Sequence, residues 1–143
     1  MRAVILSISL MLGLPALAAG PAEPGSDAAK NYRLETEGTT RSLQAGEQGK
    51  LVLAIVPLAG THVHPAAPLK IALSSSAGVK LAREQLGHPD AVDPKAEGPR
   101  FEVPFAAVKA GPQEARAKVD FYLCSDQWCV KQARDVAVAI EVK

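Results

Sequence analysis

Large apolar residues alternate with polar or small ones along most of the chain, the period of a strand that buries one face. Leu69, Ile71 and Leu73 alternate with Lys70 and Ala72, and Phe101, Val103 and Phe105 with Glu102 and Pro104. Val119, Phe121 and Leu123 alternate with Asp120 and Tyr122, and Val136, Val138, Ile140 and Val142 leave Ala137, Ala139 and Glu141 on the other face. Leu51 to Val56 is apolar on both faces, which predicts a strand in the middle of a sheet. Turn residues separate the runs: Gly46, Gly49, Pro65, Pro68, Gly78, Gly98-Pro99 and Gly111-Pro112. Pro104 removes a ladder donor and predicts an edge for its strand. Val79 to Leu86 is the one stretch that reads as a helical turn or two, closed by Gly87, and Leu86 to Pro99 is the longest loop. The spacing predicts an all-β fold of about six to eight short antiparallel strands in a sandwich.

The N-terminus has a different pattern. Met1-Arg2 is a short positive start, Ala3 to Leu14 is an apolar run, and Ala16-Leu17-Ala18 supplies the small-x-small pattern of a peptidase site. This is the layout of a cleaved secretory signal over residues 1–19. Gly20-Pro21 ends the run short of the roughly 20 apolar residues a membrane span needs. Residues 20–29 (GPAEPGSDAA) are small, polar and rich in Pro and Gly, and predict a disordered leader. The folded domain is then residues 30–143, placed in the periplasm or secreted, with no membrane insertion after cleavage.

Charge narrows the partners. The 143-residue chain carries 16 Lys+Arg against 15 Asp+Glu, and loss of Arg2 with the signal leaves the remainder near neutrality. No basic block interleaved with aromatics occurs, which argues against nucleic acid as a partner. No Ser-His-Asp order, paired-acid motif or phosphate loop stands out, and no cofactor is expected.

The two cysteines carry the candidate chemistry. Cys124 and Cys129 frame Ser125-Asp126-Gln127-Trp128 between two strand patterns, so they lie at a hairpin tip where a disulfide can close. Outside the cytoplasm such a pair is normally oxidised. Alternation places Cys124 with Asp120 and Tyr122, away from the Val119-Phe121-Leu123 core face, and predicts that it is accessible rather than buried. Three roles stay open on spacing alone. As a staple, the bond closes so short a loop that it contributes only about 2 kcal/mol. As a redox pair, an exposed bond that stabilises little is easily cycled. As half of a zinc site, the cysteines would join His62 and His64, whose H-x-H spacing at a strand end points both rings the same way. His88, beside Pro89, reads as plain loop. A blue-copper site fits badly, since neither Met1 nor Met11 survives cleavage to serve as the axial ligand.

The order of these residues resembles one known family. Gly60-Thr61-His62-Val63-His64-Pro65, Pro68 to Leu73, Gly78-Val79, Arg100 to Phe105, Ala110-Gly111 and the run Val119-Asp120-Phe121-Tyr122-Leu123-Cys124-Ser125-Asp126 to Cys129 resemble the N-terminal periplasmic domain of the DsbD thiol:disulfide interchange protein. The resemblance spans about residues 45–143. It implies an immunoglobulin-like β-sandwich in which Cys124 and Cys129 cycle between dithiol and disulfide. One would attack and the other resolve the mixed disulfide, in either assignment. His62, His64, Asp126 and Trp128 would support the pair, the histidines by tuning thiolate pKa. Partners would be exported thioredoxin-like or membrane thiol-reductant proteins, which must supply the electrons. The chain departs from the family in a spacing one residue shorter, and in a loop His88 to Gly98 without the aromatic cap, a place Trp128 would take. The alternative is an immunoglobulin-like binding or structural module with an inert hairpin disulfide.

Overall fold

A computed structural model describes residues 27–143, so the signal and most of the leader lie outside the described residues. Two sheets face each other. The first has the order β1-β3-β8-β6, with β1 Tyr32–Glu35, β3 Gln48–Pro57, β8 Arg100–Ala107 and β6 Val79–Leu81. The second has the order β2-β10-β9-β5-β7, with β2 Ser42–Leu43, β10 Cys129–Val142, β9 Gly111–Cys124, β5 Lys70–Ser75 and β7 Gln85–Leu86. The short β4, His62–Val63, also pairs with β9. All pairings are antiparallel except β2 on β10. This is the immunoglobulin-like sandwich, built from ten strands among the described residues because several are only two or three residues long.

The period-two positions form the core. Phe101, Val103 and Phe105 of β8 and Leu51, Leu53 and Ile55 of β3 face Val119, Phe121 and Leu123 of β9, Ile71 and Leu73 of β5, and Val138, Ile140 and Val142 of β10. Phe101, Phe121, Ile55 and Ile71 are fully buried, each worth about 1.5–3 kcal/mol of transfer free energy. Tyr32 ties the sheets together. Its ring meets Phe121 edge-on at 5.0 Å between centroids, and its hydroxyl donates to Gln132 Oε1 at 3.2 Å.

The strand apolar on both faces is central as expected, β3 lying between β1 and β8. Beyond the end of β1, Thr39 stands in for the missing neighbour strand. Its Oγ1 accepts from Val52 N–H (2.9 Å) and donates to Val52 carbonyl (3.2 Å). Gly38, at φ +93°, carries this loop close over the Val52 side chain, a conformation and an approach that suit glycine.

Two local expectations need correction. Val79 to Leu86 is not helical: β6 joins the first sheet against β8, and β7 joins the second against β5. Segments that short show no readable period, and only their pairing partners reveal them. The strand with Pro104 is not an edge, since β8 lies between β3 and β6. Pro104 still loses nothing. Its carbonyl accepts from Ala82 N–H at 2.9 Å, so its nitrogen also faces that side, just past the end of β6.

Candidate functional site

β9 and β10 form the longest hairpin, in unbroken register from Gly111↔Val142 to Cys124↔Cys129. The turn is set by Ser125. Its N–H donates to Trp128 carbonyl at 2.8 Å, and its Oγ accepts from Gln127 N–H (3.1 Å) and Trp128 N–H (3.3 Å), the local bonding that favours serine at turns. The turn brings the two cysteines directly opposite, Cα to Cα 4.1 Å, and they are joined in a disulfide. A separation that close marks a non-hydrogen-bonded cross-strand pair.

The two cysteines differ in exposure. Cys124 is buried, 2% exposed, whereas Cys129 is exposed. The expectation that Cys124 would be accessible is therefore corrected. Alternation does put it on the outer face, but β4 adds itself beyond β5 along the same side of β9. Cys124 is then flanked by His62 on one side and Cys129 on the other. The sequence marks His62 and His64 as a strand end, but so short a strand carries no period that would name β9 as its partner.

β4 is fixed from both sides. Val63 N–H donates to Glu97 carbonyl at 2.9 Å, which places the end of the long loop against β4, and His64 N–H donates to Tyr122 carbonyl at 2.8 Å, extending the ladder. His62 thus lies opposite Cys124. The His64 side chain instead builds a turn. Its Nδ1 accepts from Ala66 N–H (3.0 Å) and Ala67 N–H (2.8 Å), closing the chain reversal that leads past Pro65 to Pro68. Those bonds require an unprotonated Nδ1, with the ring proton on Nε2. His88, read as plain loop, holds the same turn, with its Nε2 2.7 Å from Ala67 carbonyl.

Asp126 and Gln127 are exposed at the tip. Trp128 is half-buried and packs on the core, while Cys129 beside it stays open to solvent. Trp128, Cys129 and Val130 line a groove whose opposite wall is Asp27, Ala28 and Asn31. Sequence reading missed that wall. Ala28, within the stretch 20–29 read as leader, is 3% exposed, and its only sequence signal was the Ala-Ala pair before Lys30. His62, His64 and the cysteines do not come together as a metal centre: among the described residues no group of three or more His, Cys, Asp or Glu is placed to hold an ion. No described helix is long and apolar enough to cross a membrane.

No known family model matches the sequence. No curated protein matches it either. Among solved structures, the chain is similar to the native conformation of Escherichia coli alpha-2-macroglobulin, at 19% identity over 78% of this chain and 6% of that one, TM-score 0.46. A lipoprotein of Bacteroides thetaiotaomicron is similar at 10% identity over 94% and 85% of the two chains, TM-score 0.42. A conjugate transposon protein of Bacteroides vulgatus is similar at 8% identity over 78% and 84%, TM-score 0.44. The chain thus spans 6% of the macroglobulin's length.

Proposed function

We propose that the chain is a thiol–disulfide exchange module of the exported compartment, a stand-alone relative of the DsbD N-terminal domain, working through Cys124 and Cys129. The observation that carries this reading is the asymmetry of the bond. One cysteine is exposed beside a groove and the other is enclosed at the end of a strand ladder. A partner thiolate attacks Cys129 Sγ and forms the mixed disulfide. The Cys124–Cys129 bond breaks, and its electron pair leaves on Cys124 as a thiolate that takes up a proton. The partner's second thiolate then attacks its own sulfur in the mixed disulfide and releases Cys129. The chain gains two electrons and the partner ends oxidised; run in reverse, the chain reduces the partner. The partner class is an exported protein with a vicinal thiol pair, of thioredoxin type.

As a staple the bond adds little. Cysteine separation is five residues, and the register around the bond is already enforced by the whole β9–β10 ladder. A single-cysteine variant tests the reading. Cys124→Ala should trap an exported thioredoxin-like protein as a mixed disulfide through Cys129, whereas Cys129→Ser should trap none.

One observation favours the alternative, an immunoglobulin-like binding or structural module with an inert disulfide. Burial of Cys124 closes one end of the bond to an attacking thiolate, which slows its cleavage. On that reading neither single variant traps a partner.

A further inference from the structure

Among the described residues, β10 is paired on both sides only at its end. β9 covers one side along the full length, but on the other side β2 meets only Glu141 and Val142. From Cys129 to Ala139 no described strand pairs with that edge, and Asp27, Ala28 and Asn31 lie across a groove from Cys129 and Val130. Its chemistry follows from the ladder. Cys129 and Cys124 form a non-hydrogen-bonded pair, so Cys129 and every second residue after it turn N–H and C=O away from β9. Glu141 and Lys143 obey the same parity, their N–H groups donating outward to Arg41 and Leu43 carbonyls at 2.8 and 2.9 Å. Cys129, Lys131, Ala133, Asp135, Ala137 and Ala139 therefore present a row of outward donors and acceptors. The Lys131 carbonyl accepts from Gln132 Nε2 at 3.0 Å and keeps a second lone pair.

An open edge of this length invites another strand, and charges in its middle usually prevent that. Lys131, Arg134 and Asp135 are all exposed here. Their order, however, suits one partner. If two copies of β10 pair antiparallel about a two-fold axis at Ala133, Lys131 stands opposite the second copy's Asp135, twice over. Ala133 meets Ala133, Val130 meets Val136, and Arg134 meets Gln132. Moving the axis one residue on sets Arg134 against Arg134, and one further sets Asp135 against Asp135, where like charges directly opposed destabilise. The axis at Ala133 also centres on outward-facing residues, so every pair of odd-numbered positions from Cys129 to Ala137 exchanges two backbone hydrogen bonds. Neither Lys131 nor Asp135 has an ion-pair partner among the described residues. On β9, Lys118 lies across from Asp135, so each Asp135 would sit between two lysines on one face of the joined sheet.

We propose that the chain forms a symmetric dimer by antiparallel β10–β10 pairing centred on Ala133, which joins the two six-stranded sheets into one. The two Cys129 residues then lie at opposite ends of the junction, each paired through its backbone with the second copy's Ala137. The dimer stands independently of the exchange chemistry.

The test is the mass in solution of the mature chain by light scattering and sedimentation, from micromolar to millimolar concentration. Wild type should run at twice the chain mass. Ala133→Pro removes an N–H that points away from β9 and should give a monomer with unchanged far-ultraviolet dichroism. Lys131→Glu and Asp135→Lys should each give monomers, and the two together should restore the dimer. If the proline variant does not fold, the charge exchange decides. A monomeric wild type at every concentration, a monomer that instead takes an unrelated extended peptide on this edge, or a dimer indifferent to the charge reversals would overturn the proposal.

Discussion

Cys124 and Cys129 face each other across the last rung of the longest ladder, yet Cys124 is enclosed while Cys129 is open to solvent. The difference arises from what flanks each strand. β9 has neighbours on both sides at Cys124, β4 and β10, whereas β10 has none beyond Cys129 on its far side among the described residues. Exposure at this site is thus a property of strand order rather than of side-chain alternation.

The disulfide should contribute little to stability. Loop closure over so short a separation gives about 2 kcal/mol at most, and the β9–β10 ladder already holds the two strands in register. Cys124→Ala with Cys129→Ser avoids burying a hydroxyl at position 124 and should fold with a loss under about 2 kcal/mol in urea denaturation. A variant that fails to fold would show the bond to be a structural staple.

The two histidines should behave differently. His64→Ala leaves Ala66 and Ala67 N–H groups without their acceptor and should cost about 1 kcal/mol, with little change in reduction potential. His64→Asp should recover most of that stability, because a short acceptor can close the same turn. His62→Ala, opposite Cys124, should shift the potential with little loss of stability. Equal potential shifts from both substitutions would contradict this division of roles.

Acid should loosen the long loop first. Asp90 accepts from Gly87 N–H at 2.9 Å and pairs with Arg83, which together hold its carboxyl below the usual range. Because the folded value is lowered, this stabilisation is complete above the unfolded value of about 3.9 and is lost as pH falls through the folded one. Asp90→Asn should therefore lower the denaturation midpoint at neutral pH, and the gap from wild type should close in strong acid. A gap that persists there would assign Asp90 a role other than its charge.

Much of this fold was legible because buried faces impose alternation. Phe101-Val103-Phe105, Val119-Phe121-Leu123 and Val136 to Val142 each read as strands and are strands, and Leu51 to Val56 read as central and is central. The missed elements, β1, β2, β6 and β7, have two to four residues each and owe their form to a neighbour's unpaired edge, while β4 was legible only as a strand end. The candidate site was half legible for the same reason. Spacing placed Cys124 and Cys129 at a hairpin tip and His62 nearby, but the enclosure of Cys124 depends on β4. The groove wall at Ala28 and Asn31 depends on where a segment without periodicity comes to rest.

Exchange of the Cys124–Cys129 bond in use is tested most directly by its reduction potential in the purified protein, titrated in glutathione and dithiothreitol buffers and read by thiol alkylation and mass. An exchange module should show a midpoint between about −120 and −270 mV, the span of working exchange proteins. A bond that stays oxidised below about −300 mV, as structural disulfides do, would contradict that role.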